Sequence, residues 1–250
     1  MNFKPIFGFI AGAFLALNLN ASTIKKGELI VATEGTYSPY SFYDENGELV
    51  GYDVDIARAV AKKLNLKIEF LTAPWDAMLA AFDAGKADVV FNQVSINEDR
   101  KKKYDMSVPY TMPYPVIVVH KDNNDIKSFA DLKGKKSVHS ATSNWAAIAE
   151  KNGATVVVAD GFSKGVELII SKRADDTIND NVTFFDYIKQ RPNAPLKIAY
   201  TSNEPMPTAA LLKKGNTELL EAINKALDEL KAEGKISEIS MKYFGKDISK

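Results

Sequence analysis

Between residues 29 and 92 the spacing of the apolar residues changes period four times, and that alternation restricts the fold more than any other feature of the chain. Residues 29–33 form a short apolar run, after which Val54, Ala57, Val60, Ala61 and Leu64 recur at helical spacing. Leu66, Ile68 and Phe70 then alternate with Lys67 and Glu69, as in a half-buried strand. Met78, Leu79 and Phe82 share one face of a helix starting at Asp76, and residues 88–92 return to strand. A βαβαβ series of this kind cannot form a bundle or a sandwich; it makes a parallel sheet flanked by helices.

The pattern begins again beyond a loop at residues 107–115. Strands are expected over 116–120, 136–139, 155–159 and 174–179, with helices near 144–151 and 163–170. A strand near 208–212, a long helix over 217–232 and a shorter helix stopped by Gly245 close the chain. Two α/β units follow from this. Pro109, Pro113 and Pro115 on one side and Pro205 and Pro207 on the other mark two crossings between them.

Residues 1–21 have the form of a secretory signal, with Lys4 at the charged start, an apolar stretch of twelve residues from Ile6 to Leu17, and cleavage expected after Ala21. Twelve residues suit a signal and fall short of the ~20 of a membrane span. The remaining 229 residues are enough for two domains. Lys and Arg number 32 against 32 acids, so no excess of positive charge favours nucleic acid. Cysteine is absent, which removes disulfides, thiol chemistry and the acylated cysteine of a lipid anchor. The expectation is a soluble periplasmic protein.

Ligands of open α/β sheets bind beyond the carboxyl ends of the strands. Glu34 and Tyr37 follow the first strand, Trp75 the second, and the segment 92–95 with Arg100 the third. In the second unit, residues 140–143 follow one strand and Asp180 another. If these edges face each other, they enclose a cleft with an Arg on one wall and an Asp on the other. A ligand offering carboxylate to Arg100 and ammonium to Asp180 is an α-amino acid.

Each of these residues also has a plainer reading. Asn97 reads as the N-cap of a helix holding Glu98, Asp99 and Arg100 in its first turn, where a cation would lose ~0.3–1 kcal/mol to the macrodipole unless an anion offsets it. Arg100 could equally be a solvated member of the basic run with Lys101, Lys102 and Lys103. Thr142 and Ser143 could bind an anion at a helix start or simply cap it, Asp180 could cap a helix starting near Asn181, and Tyr37 and Trp75 could be core aromatics. His139 ends a strand near the cleft, where a lone His is more often structural than a base.

Taken together, EGTYSPYSF, GYDVDIARAVAKKL, WDAMLAAFDAGKADVV, SINEDRKKKYDMSVPY, DLKGKKSV and KISEISMKYFG resemble the polar amino-acid binding proteins of ABC importers, solute-binding protein family 3, in order and spacing. The resemblance spans essentially the whole chain after the signal. It implies an α/β, two-lobed periplasmic binding protein (type II), each lobe a parallel or mixed sheet flanked by helices and joined by two hinge strands. Lobe 1 would comprise 22–113 plus 207–250, and lobe 2 would comprise 114–206.

In relatives the Arg of the segment here reading SINEDR grips the ligand carboxylate, which implies Arg100 with the Ser95 hydroxyl and amide beside it. The main-chain carbonyl two residues before that Ser receives the ammonium, which implies Gln93. Asp180 matches an Asp that completes the ammonium site. Ala141, Thr142 and Ser143 stand for a Gly-Thr-Thr-like loop, with Ala for Gly a departure from the pattern. Tyr37 matches an aromatic that lies against the ligand.

EGTY, PWDAML and NQVSI resemble the cystine-binding branch most, with Tyr37 and Trp75 around the side chain and Glu34 available to the second ammonium. A basic or small polar amino acid is the alternative, since relatives binding basic amino acids also carry an acid at that place. The partners implied are a free amino acid and an inner-membrane ABC permease, for a monomer without cofactor or metal. A periplasmic dehydratase on the same fold is the rival from another class.

Overall fold

The structure, a computed structural model, describes residues 22–250. The expected signal at 1–21 lies outside the described residues. Strand β1 (Glu28–Thr33) leads into an antiparallel ribbon of β2 (Thr36–Tyr37), β3 (Ser41–Tyr43) and β4 (Leu49–Val50). Helix α1 (Tyr52–Lys63), β5 (Lys67–Thr72), α2 (Trp75–Asp83), β6 (Val89–Ser95), α3 (Glu98–Lys103) and β7 (Tyr104–Met106) follow.

The β1, β5 and β6 strands pair in parallel, as a βαβαβ series requires. Every residue of β1 after Glu28 is buried, because both sheet faces are covered. Leu29 and Val31 face the cluster of Ile56, Val60 and Phe91, whereas Ile30 and Ala32 face Met78 and Phe82 on the other side. That division is the period of two along a pleated strand.

The second lobe holds β8 (Pro115–His120), β9 (Lys136–His139), α4 (Asn144–Lys151), β10 (Thr155–Val158), α5 (Gly161–Ile170), β11 (Asp176–Asp180), α6 (Asn181–Gln190) and β12 (Leu196–Thr201). Its sheet runs β10-β9-β11-β8-β12, with β8 antiparallel to both neighbours. The chain then returns as β13 (Thr208–Lys213), α7 (Thr217–Ala232) and α8 (Lys235–Phe244). β13 enters the first sheet antiparallel to β6 and β7, giving the order β5-β1-β6-β13-β7, so both sheets are mixed.

Two crossings join the lobes, one between β7 and β8 and one between β12 and β13. They run side by side: Met206 N donates to Pro113 O at 2.7 Å, Thr208 N to Thr111 O at 3.0 Å and Tyr110 N to Thr208 O at 3.1 Å. The prolines explain why this pair stays narrow, since each fixes an extended backbone and removes a donor that a further strand would need. Among the described residues no helix is long and apolar enough to cross a membrane.

Candidate ligand-binding site

The carboxyl ends of the two sheets face each other across a cavity of about 550 Å³, counting its mouth. Glu34, Tyr37, Trp75, Asn92 and Gln93 line it from the first lobe, and His139, Ser140, Ser143, Phe162 and Asn179 are among those lining it from the second. Ser95, Arg100, Thr142 and Asp180 are not on this lining, and each is connected to it differently.

Arg100 lies against the cavity through Trp75, with the guanidinium carbon 5.4 Å from the centre of that ring. Its Nη1 donates to Ser95 O at 2.9 Å, and no acid pairs with it among the described residues. Burial without a counter-charge lowers its pKa to about 10. Ser95 beside it is a buried residue, and its hydroxyl has no protein partner among the described residues. Asn97 caps α3 by accepting from Arg100 N at 2.8 Å. The helix has only six residues, however, so Arg100, third along it, falls within the last turn as well as the first, and the macrodipole penalty carries little weight. The unpaired guanidinium is the feature that calls for an anion.

Asp180 caps α6, its Oδ1 accepting from Thr183 N at 2.8 Å, and it also accepts from the first lobe. The Tyr37 hydroxyl lies 2.8 Å from Asp180 Oδ2 and the Tyr40 hydroxyl 2.9 Å from Oδ1. Tyr37 therefore stands between Asp180 and the cavity, also reaching Asn179 Oδ1 at 2.9 Å. Ser143 caps α4 through its hydroxyl, which accepts from Ala146 N at 3.1 Å. Trp75, expected in a loop, is the first residue of α2 and is buried.

Thr142 is held by a residue the sequence did not point to. Asp76 accepts from Thr142 N at 2.9 Å and from Ala141 N at 3.0 Å, so a carboxylate of the first lobe already occupies the start of α4. Asp76→Ala should leave the Arg100 wall intact while loosening the closed lobes. The expected result in stopped-flow binding is a dissociation rate raised about tenfold with association nearly unchanged, as for a few exposed bonds to one carboxylate lost together.

Glu34 is buried, with Oε2 accepting from Asn92 Nδ2 at 2.7 Å. Asn92 Oδ1 receives Glu34 N, Thr33 Oγ1 and Ser41 Oγ, which fixes the direction of the amide. Burial pushes the Glu34 carboxyl up to about 7 despite the Asn92 bond. A Cβ at Gly161 would sit 3.9 Å from Glu34 Oε1, so the start of α5 faces this carboxyl from the opposite lobe. His139 is joined at Nε2 to Ser137 Oγ (2.8 Å), and Ser137 Oγ donates to Asp176 Oδ1 at 2.5 Å. Burial lowers the His139 ring to about 3, so it is a neutral polar wall and a poor base.

A model of bacterial extracellular solute-binding proteins, family 3, matches residues 29–246. The chain belongs to this family. Within family 3, the L-cystine-binding protein TcyA of Bacillus subtilis is 44% identical over 234 residues, 93% of this chain and 87% of that protein. An ancestral arginine-binding protein bound to arginine superposes with a TM-score of 0.81 at 43% identity, covering 88% of this chain and 99% of the other. The L-cystine solute receptor of Neisseria gonorrhoeae in its unliganded open conformation, also 43% identical, superposes at 0.59 over 90% and 95% of the two chains. At equal sequence identity the chain superposes better on the arginine-bound structure than on the unliganded open one. This family 3 chain stands with the arginine-bound form, in keeping with its bonds from Tyr37, Tyr40 and Asp76 across the cleft.

Proposed function

We propose that this chain is a non-catalytic periplasmic binding protein that captures a free amino acid, most favourably cystine, and presents the closed form to the permease of an ABC importer as a soluble monomer. The observation that carries the reading is the Arg100 guanidinium, partly buried beside the cavity with no acid to pair with among the described residues. A ligand α-carboxylate supplies the missing charge through two parallel N–H···O bonds. The Ser95 hydroxyl adds a donor, the Gln93 carbonyl takes the ammonium with Asp180 acting through the Tyr37 hydroxyl that stands between them, and the α4 start at Ser143, next to the Thr142 that Asp76 holds, closes over the head group.

Cystine is favoured over other amino acids because its second ammonium matches Glu34, with Tyr37 and Trp75 flanking the side chain. The 44% identity to a protein named for L-cystine binding supports this choice. A basic amino acid offers the same distal cation and is the alternative.

Calorimetry against a panel of free amino acids tests the reading, with cystine expected to bind and to be recovered unchanged. The Glu34 carboxyl, at about 7 when empty, is largely protonated at pH 6. A distal cation set against it favours ionisation, so binding at pH 6 should release close to one proton, read from two buffers of different ionisation enthalpy. At pH 8 the release should vanish, because the carboxyl is already charged, and Glu34→Gln should abolish it at both pH values. Tight cystine binding at pH 6 without proton release would remove Glu34 from the distal site.

A further inference from the structure

Gln93 lines the cavity, yet its side chain points away into the protein. Nε2 donates to Asp53 Oδ1 at 2.7 Å, while Oε1 accepts from Thr111 Oγ1 at 2.8 Å and from Thr208 Oγ1 at 3.1 Å. The two threonine oxygens also lie against each other, so the pair, with one O–H apiece, shares two protons among these three contacts. This partner set fixes the amide, since a carboxylate must face the NH₂ and the hydroxyls the oxygen. All four residues are buried.

Thr111 and Thr208 are the paired residues of the isolated antiparallel bridge between the two crossings. One side-chain oxygen therefore gathers both connections between the lobes. At its other end the amide is anchored to Asp53, in the first turn of α1.

The main chain of Gln93 is unusual in the same place. Its φ is 50°, a left-handed value that few residues other than Gly adopt. Val94 pairs with Ala209 and Val90 with Leu211, so three residues of β6 face the single Ala210. The irregularity turns the Gln93 peptide out of regular pairing and toward the cleft. Its side-chain bonds hold it there.

We propose that Gln93 is a positioning residue that couples the ligand floor to the hinge. Its main chain sets the polar floor of the cavity, and its amide locks the Thr111–Thr208 pair in the arrangement that the closed lobes require. Rotation of one lobe about the crossings must twist that pair, so closure and floor geometry are linked, and each stabilises the other. The ligand half of this inference rests on the amino-acid reading above; the hinge half stands on the geometry alone.

The test uses Thr208→Val and Thr111→Val, which keep shape and remove one hydroxyl each, and Gln93→Met, which removes the whole tie. With cystine or whichever amino acid the unmodified protein binds, each threonine variant should dissociate about fivefold faster and Gln93→Met at least tenfold faster, with association within twofold. Gln93→Met combined with Thr208→Val should be no worse than Gln93→Met alone, because both act on one connection.

The chain has no cysteine, so Glu45→Cys and Glu150→Cys on exposed sites of the two lobes give a unique spin-label pair for the ligand-free protein. The threonine variants should move its distance distribution toward longer separations. Lower thermal stability with unchanged distances and unchanged dissociation would overturn the proposal and leave Gln93 a local structural residue. If the unmodified protein binds no amino acid, the functional reading fails, and the distance measurement still decides the hinge tie.

Discussion

Arg100→Ala should weaken amino-acid binding by at least a hundredfold in calorimetry, with little loss of ligand-free stability. Two charge-assisted bonds to a carboxylate, each about 1.5–3 kcal/mol, correspond to that factor or more. The guanidinium has no acidic partner among the described residues, so removing it breaks no ion pair and relieves a charge held partly out of water. Arg100→Lys should restore part of the affinity, because a point charge remains but the planar fork is lost. Affinity within threefold of the unmodified protein for Arg100→Ala would take Arg100 out of the site.

The second large effect is expected at Asp180, and there stability and binding should fall together. Its carboxylate accepts from the Tyr37 and Tyr40 hydroxyls and from the Thr183 amide and hydroxyl. Asp180→Ala leaves the Tyr40 hydroxyl and the Thr183 amide without a partner, while Tyr37 keeps Asn179, and it uncaps α6, at about 1–3 kcal/mol per orphaned group and about 1 kcal/mol for the cap. A loss of several kcal/mol lowers Tm by roughly 10 °C in a chain of this size. Amino-acid affinity should fall by more than a hundredfold, because the negative charge behind the ammonium site and the cross-lobe tyrosine contacts are lost at once. Asp180→Asn keeps an oxygen for the cap, so it should recover most of the stability and little of the affinity. Full affinity in Asp180→Asn would assign the residue to capping alone.

Much of the architecture was readable in the chain because its central strands β1, β6 and β11 are buried on both faces and its longer helices on one. The helices at Asn144–Lys151 and Thr217–Ala232 and the strand at Lys136–His139 begin and end where their apolar spacing says. β12 gave no signal, since an edge strand with most positions half-exposed has neither a buried run nor a strict alternation. The β2 and β4 strands, two residues each, are too short to show any period.

Of the site, residue types and strand ends were readable, but their partners were not. Asp76 meets Thr142 across the cleft, 66 residues further along the chain, and no local spacing records such a contact. The same holds for the Gln93 amide, whose acceptors and donors come from α1 and both crossings. The macrodipole argument for Arg100 failed on the length of α3, which a basic run of Lys residues does not reveal.

The most direct measurement is a crystal structure of the protein grown with cystine. The account places the ligand between the lobes, its α-carboxylate about 3 Å from the Arg100 guanidinium and its distal ammonium on Glu34. A ligand bound elsewhere, or one lying in the cleft with the Arg100 guanidinium still unengaged, would contradict it.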